Sequence, residues 1–331
     1  MKRLSIGKIR GLQQLTNPDG IFTICAIDHR GSLRSMIDEE HPEEVNYEEM
    51  IKHKLELCSS LAKYASAVLL DPIFGAAQCI SHSALPNNTG LLVSIEASGY
   101  GGEREYRITK LLDGWSVEKI KRMGASAVKI LVYYRTNLKE LASKQLNTVN
   151  MVAMDCIKYD LPFLVEPMSY PIGNETNNPQ QFANLKEQLV IKSAGEITAL
   201  PIDVLKSEFP ADLHYNKDKS ELINLCQQLD MSSQVPWVVL SAGVDFKLFC
   251  QEVEIACRAG ASGFLGGRAI WQEAMDIDDA QERVQYIATV GVDRLKRLTE
   301  IANKYAVPWY KKLGVTAQEL AHTSERWYLE Y

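Results

Sequence analysis

Short apolar, β-branched runs recur along the chain at 21–28, 66–72, 91–96, 127–134, 163–168, 203–209, 236–243 and 262–271. Most are apolar on both faces, the pattern of parallel strands covered on each side rather than of a sheet with one wet face. Between them the period changes. Residues 47–65 place Met50, Ile51, Leu55, Cys58, Leu61 and Ala62 at helical spacing, and 115–123, 138–159, 180–198, 217–229, 245–259 and 280–305 follow the same rhythm. "WSVEKIKRMGA" and "VEIACRAGA" each stop a helix at a glycine, Gly124 and Gly260, and then enter a strand. Eight strand-then-helix units predict an α/β fold of the closed (β/α)8, TIM-barrel type, with a doubly wound open sheet as the competing arrangement. No compositional break divides the 331 residues, so the chain reads as a single domain over 1–331. Residues 169–200 read as a longer excursion that begins as a polar loop, and 316–331 as one more amphipathic helix.

Composition narrows the function classes. With 46% hydrophobic and 24% charged residues the chain can bury a sizeable core. A net charge of −6 argues against a nucleic-acid binder, which needs a broad basic face, but leaves room for a local cationic cluster on an anionic substrate. No window approaches the ~18 uninterrupted apolar residues of a membrane span. The basic start "MKRLSIGKIRGL" lacks the apolar stretch of a signal peptide. The seven cysteines form no CxxC pair and several sit in apolar runs, which predicts reduced, buried thiols and a cytoplasmic protein.

In such a barrel the chemistry gathers where the strands end. Asp28, His29 and Arg30 follow strand one, Asp71 strand two and Glu96 strand three. Strand four contains Lys129, strand five Glu166, and strand six Lys206 with Glu208 two residues on. All are expected at one mouth. A lysine attacks a carbonyl carbon only as the neutral amine, a form that burial and a neighbouring cation both favour. Its product, a Schiff base, is an electron sink that lets a carbon–carbon bond break. Glu166, inside "FLVEPM", is placed to move protons to and from substrate, with a pKa that its apolar surroundings are expected to raise.

Each residue alone has a plainer explanation. A strand lysine commonly snorkels or forms an ion pair, Lys129 would pair with Glu166 or Asp28, and Asp28 would serve equally as a turn residue in "DHRGS". On three successive strands, the lysines and the glutamate together point to chemistry.

Strand seven ends at Ser241-Ala242-Gly243 and strand eight contains Gly266-Gly267-Arg268. Tight loops at these two strands bind phosphate through backbone N–H groups in many barrels, and Arg268 would add a charge-assisted contact. The competing reading is that the glycines only permit close packing. "GYGGER" (99–104) lacks the GxGxxG pattern and carries little weight. The six histidines show no HxxxH or HxH spacing, so no metal and no cofactor is expected, with Mg²⁺ on carboxylates as the open alternative.

These motifs together resemble the class I tagatose 1,6-bisphosphate aldolase family, within the Schiff-base barrel aldolases that include deoxyribose-phosphate aldolase. The likeness runs from "NPDGIFTICAIDHRGSL" through "LLDGWSVEKIKRMGASAVKILVYY", "FLVEPMSY", "DVLKSEFP" and "VPWVVLSAGV" to "GFLGGRAIW". The resemblance implies that Lys206 forms the Schiff base, Glu166 shuttles protons, Lys129 polarises the site and Asp28 closes strand one. It further implies that His29, Arg30, Ser241, Gly243, Gly267 and Arg268 contact substrate, the last four around a phosphate. The implied reaction is reversible cleavage of a ketohexose 1,6-bisphosphate to dihydroxyacetone phosphate and glyceraldehyde 3-phosphate. The implied partner is that phosphorylated ketose, neither nucleic acid nor membrane, with assembly as a homodimer or homotetramer.

Two departures stand out. Where the family commonly has Asp-Gln-Arg, this chain has Asp28-His29-Arg30, and the usually acidic loop after "LVYY" reads "RTN", from Arg135. Both are expected to add positive or titratable character at the mouth, which puts the second anionic group of the substrate in question. A similar family cleaves 6-deoxy-6-sulfofructose 1-phosphate, and that substrate stays open, as does a phosphosugar-responsive protein without turnover. The sequence does not fix the configuration at C4.

Overall fold

All eight apolar runs form parallel strands in the computed structural model, which describes residues 4–320, 325–329 and 331. They are β1 (Phe22–Ala26), β2 (Ala67–Leu70), β3 (Gly90–Ser94), β4 (Ala127–Tyr133), β5 (Phe163–Met168), β6 (Val204–Ser207), β7 (Trp237–Leu240) and β8 (Gly263–Gly266). Each pairs with its neighbour in sequence, and β8 returns to β1 with Gly263 beside Phe22, so the sheet closes. Closure removes the open-sheet alternative. The helices are α1 (Ile6–Leu15), α2 (Gly31–Ile37), α3 (Tyr47–Leu61), α4 (Ala76–Ser81), α5 (Val117–Arg122) and α6 (Lys139–Lys158). They continue with α7 (Pro179–Thr198), α8 (Lys219–Ser232), α9 (Phe246–Arg258), α10 (Arg268–Trp271), α11 (Ala280–Tyr286) and α12 (Val292–Tyr305).

Strand alternation sorts the apolar residues into two cores. Phe22, Ile24, Leu69, Leu92, Ala127, Leu164, Val204, Val238 and Leu265 fill the barrel, while Cys25, Val68, Val93, Val128, Val165, Leu205 and Val239 face the helices. Each fully buried Leu or Val contributes roughly 1.5–3 kcal/mol, and the two-sided apolar pattern is the sum of these layers. Two residues farther along β4, β5 and β6, the inward positions become Lys129, Glu166 and Lys206. The charged layer therefore lies on an apolar one.

Four features differ from the sequence expectation. Residues 6–15, which no pattern singled out, form α1, with Ser5 as its N-cap. Its Leu12 and Leu15 join Trp309 as a floor beneath the barrel, and Lys8 reaches Asp203 at 2.6 Å. The run 262–271 is strand only to Gly266, because Gly267 (ψ −112°) leaves the extended region and Arg268–Trp271 turns as α10. The helix expected over 280–305 is interrupted at Ile287–Gly291 by a wider π turn, where Gly291 passes close to Leu61. The described part of 316–331 holds only 3-10 turns at Ala317–Glu319 and Trp327–Leu329; residues 321–324 and 330 lie outside the described residues. Trp327, Tyr328 and Leu329 are exposed, so no buried apolar face supports a helix there. Among the described residues no helix is long and apolar enough to cross a membrane.

Candidate active site

A cavity of about 440 Å³ opens at the C-terminal ends of the strands. Asp28, His29, Arg30, Lys129, Glu166, Lys206, Ser241, Gly243, Gly267 and Arg268 all line it, which brings together every residue singled out as a site residue from the sequence. Asp71 and Glu208 do not join them. Asp71 turns outward to Lys54 of α3 (2.6 Å), and Glu208 accepts from the Ser169 N–H (2.7 Å) with Lys186 at 3.4 Å.

Lys129 is the most heavily engaged cation. Its Nζ lies 2.9 Å from Asp28 Oδ2, 2.7 Å from Glu96 Oε1 and 2.9 Å from Glu166 Oε2. Burial favours the neutral amine, but the three carboxylates outweigh it and hold Lys129 protonated well above the usual lysine range. The ammonium thus occupies the centre of the carboxylate group. Lys206 Nζ has one carboxylate, Glu166 Oε2 at 2.9 Å, and shares it with Lys129.

Both central carboxylates respond to this pair. Burial works to raise Asp28, yet Lys129 and Lys206 together hold it well below the ordinary carboxylate range. Glu166 behaves the same way: burial pushes it up, and the two ammonium groups bring it below its usual value. That reverses the expectation of a raised Glu166. The apolar strand around it is real, but two cations within 3 Å outweigh desolvation, so the resting group is a carboxylate and a base.

The opposite wall, after β7, β8 and β1, presents donors without acceptors. Nε of Arg268 and Nη1 of Arg30 are buried donors, with Nδ1 of His29 buried beside them, and among the described residues none of the three has a hydrogen-bond partner. Among the described residues no acceptor takes the N–H groups of Ala242 or Gly243. Ala242 sits at φ +46° and Gly243 at φ +83°, a local strain that turns the loop toward the cavity. A Cβ on Gly243 would lie 2.9 Å from Arg268 Cζ, and one on Gly267 would lie 2.8 Å from His29 Cε1. These glycines are thus needed for the approach of the two side chains, which is the packing explanation.

The two family departures add no positive charge to the mouth. Burial lowers His29 to about 3, so its ring is neutral at neutral pH, packed edge-on against Trp271. Arg135 is buried away from the cavity, where its guanidinium is taken up by Glu175, the Tyr170 carbonyl and Asn137.

Two charged lining residues, Glu96 and Arg107, carry no site role in the sequence. Glu96 was noted at the end of strand three but given no role; its contact with Lys129 places it in the charged layer. Arg107, in the loop after β3, was not noted at all. Its neighbouring "GYGGER" was the only signal, a glycine-rich polar loop at a strand end.

A closed barrel whose mouth holds a lysine between a carboxylate base and a wall of unpaired donors is an enzyme equipped for amine–carbonyl chemistry on an anionic substrate. Residues 22–273 match the model of the DeoC/LacD family of aldolases, and the chain belongs to that family. It is an aldolase, a carbon–carbon lyase. The tagatose 1,6-diphosphate aldolase of Lactococcus lactis is 30% identical over 92% of this chain and 98% of its own length, and that of Staphylococcus epidermidis 29% identical over the same shares. In fold, the chain is similar to a Schiff-base-forming fructose-1,6-bisphosphate aldolase (TM-score 0.58, 20% identity, 89% of this chain and 98% of that one). It is similar also to an archaeal fructose-1,6-bisphosphate aldolase whose catalytic lysine is bound to the carbinolamine intermediate (TM-score 0.56, 19% identity, the same shares).

Proposed function

We propose that this aldolase reversibly cleaves a ketohexose 1,6-bisphosphate, D-tagatose 1,6-bisphosphate foremost, to dihydroxyacetone phosphate and glyceraldehyde 3-phosphate through a Schiff base on Lys206. The observation that carries the reading is the arrangement of Lys206 Nζ, 2.9 Å from the ionised Glu166, in the same cavity as the unpaired donors around Arg268. Relatives named for tagatose 1,6-diphosphate support the choice of substrate.

Glu166 takes a proton from the Lys206 ammonium, and the neutral amine attacks C2 of the ketose. Glu166 passes that proton to the C2 oxygen, then carries a second from the same nitrogen to the resulting hydroxyl, which leaves as water, and the iminium remains. Glu166, again a carboxylate, removes the proton from the C4 hydroxyl. The C3–C4 bond breaks, its electron pair enters the iminium to form an enamine, and the aldehyde departs. Glu166 then protonates C3, and water releases dihydroxyacetone phosphate and restores the amine. Lys129 stays charged throughout and polarises oxygens at C2 and C4, while Asp28 and Glu96 fix its position. Arg268, Ser241, Gly243 and Gly267, with Arg30, hold the phosphate of the ketone fragment, and His29 packs beside it as a neutral donor. The enzyme works as one barrel domain, as a homodimer or homotetramer in the cytoplasm. Six of seven cysteines are buried, all are free, and burial pushes the Cys25 thiol up to about 12, which suits a reducing compartment.

Borohydride trapping with dihydroxyacetone phosphate in the presence of EDTA, followed by peptide mass spectrometry, tests the reading. A reduced adduct on Lys206 is expected. An adduct on another lysine, or no adduct with activity that EDTA abolishes, would overturn it.

A further inference from the structure

The cavity has a second cationic side that the assigned site leaves without a role. Around a closed ring of eight strands, the donors after β7, β8 and β1 lie across from the loops after β3, β4 and β5. On that far side stands Arg107. Its guanidinium carbon is 4.8 Å from the ring centre of Tyr100, 5.4 Å from Tyr133 and 4.6 Å from Tyr170. The three rings come from the loop after β3, the end of β4 and the loop after β5, and Tyr133 packs edge-to-face on each of the other two. Arg107 Nε donates to the Arg104 carbonyl at 3.1 Å, whereas among the described residues its two terminal nitrogens have no hydrogen bond and no carboxylate partner.

The loop is built to hold this side chain still. Gly101 and Ile108 exchange backbone hydrogen bonds of 2.7 and 2.8 Å, and Gln145 Nε2 donates to the Arg107 carbonyl at 3.1 Å. Glu105 fixes the loop from the other direction, its carbonyl taking the Tyr170 hydroxyl and its carboxylate the Gly173 N–H. A half-buried guanidinium clamped on aromatic faces, with its fork free and no counter-ion, is a cation awaiting an anion. Arg135, whose charge the sequence places at this side of the mouth, is buried with Glu175 away from the cavity, so the far side depends on Arg107.

We propose that Arg107 is the specificity-determining residue for the far end of the substrate: it binds the tetrahedral oxyanion carried on C6, and so selects a doubly anionic ketose and the phosphorylated aldehyde. The proposal rests on the aldolase reading above. Its planar fork takes two oxygens of the anion while the tyrosines exclude water from one face. The shared chemistry is an oxyanion on C6, as a phosphate or a sulfonate, and the substrates below separate the two.

The experiment compares wild type with Arg107→Met in cleavage of three substrates: the ketohexose 1,6-bisphosphate, the 1-phosphate lacking a C6 anion, and 6-deoxy-6-sulfofructose 1-phosphate. Borohydride trapping of dihydroxyacetone phosphate on Lys206 runs in parallel as the measure of an intact site. Arg107→Met is expected to lower kcat/KM about 10- to 100-fold for the substrate with the preferred C6 anion, the loss of a charge-assisted pair. It is expected to leave the 1-phosphate and the trapping within about 3-fold. Arg107→Lys, which keeps the charge without the fork, falls between. The larger wild-type kcat/KM of the two C6-anionic substrates identifies phosphate or sulfonate. An equal fall for all three substrates, or no fall for any, with trapping intact, would overturn the role of Arg107 and leave the aldolase reading standing. Failure of the wild type itself to trap or cleave would overturn that reading and this one with it.

Discussion

Strand β6 has a buried ammonium–carboxylate pair at each end, and the two ends are built differently. At the base, Lys8 meets Asp203 at 2.6 Å, one cation to one anion, and the same carboxylate oxygen accepts the Phe163 N–H at 2.9 Å. Helix α1 and Trp309 close that end. At the top, three residues on, Lys206 meets Glu166 at 2.9 Å, but Glu166 is claimed equally by Lys129, which is claimed by Asp28 and Glu96 as well. That end opens into the cavity. Burial and distance alone do not tell a structural pair from a chemical one, and a buried pair is in itself weak testimony of either. The difference is stoichiometry and access: the lower proton has one owner, the upper one has two claimants and a route to substrate.

Substitutions at the two ends should separate in kind. Lys206→Met is expected to abolish cleavage, by about 10⁴-fold or more, together with borohydride trapping, while the thermal midpoint changes little because Lys129 still neutralises Glu166. Loss of fold would erase the distinction. Glu166→Gln should lower kcat by roughly 10²- to 10³-fold with a smaller change in KM, and it should remove the acidic limb of the pH–rate profile. An acidic limb that persists in Glu166→Gln would assign that limb to another group. Lys8→Met should do the reverse of Lys206→Met, costing about 3 kcal/mol of stability by leaving Asp203 buried and unpaired, with kcat within about 2-fold in protein that remains folded. Denaturant unfolding beside kinetics measures both.

The carboxylates also make the top of the barrel sensitive to pH with a definite sign. Asp28 and Glu166 are held below their unfolded values, so their contribution is complete above about pH 4 and is lost as acid titrates through the lower folded values. Glu252 of α9 has the opposite sign. It is buried without a salt bridge, and desolvation raises it to about 8, so the fold keeps a proton that the unfolded chain gives up, and stability falls as pH rises from about 4.5 to about 8. Glu252→Gln should therefore raise the thermal midpoint by a few degrees at pH 8 and leave it unchanged at pH 4. An equal effect at both pH values would remove Glu252 as the titrating group.

Legibility in the sequence followed the range of the forces involved. The strands were readable because each buries both faces, and Lys129, Glu166 and Lys206 because a charge in such a strand has no bland place to go. Arg107 was not readable, since the cage that gives it meaning joins Tyr100, Tyr133 and Tyr170 from distant parts of the chain. The sign of the Glu166 shift failed for a similar reason: local apolarity is visible along the strand, and two lysines from neighbouring strands are not. Strand eight was read too long because Ala269, Ile270 and Trp271 are apolar as a helix under α9 would be and as a strand would be.

The floor of the barrel sets an order of events during synthesis. Helix α1 leaves the ribosome before every strand of the barrel, yet Lys8 finds its counter-ion 195 residues later, and Leu12 and Leu15 share their cluster with Trp309, beyond the last strand. Until β6, β8 and residue 309 have emerged, the nascent chain presents a helix with an unsatisfied apolar stripe and a solvated lysine. Loop closure over such a separation is slow, so a segment made before the strands completes its docking after them, and a polypeptide halted before Trp309 would offer α1 to chaperones or to aggregation.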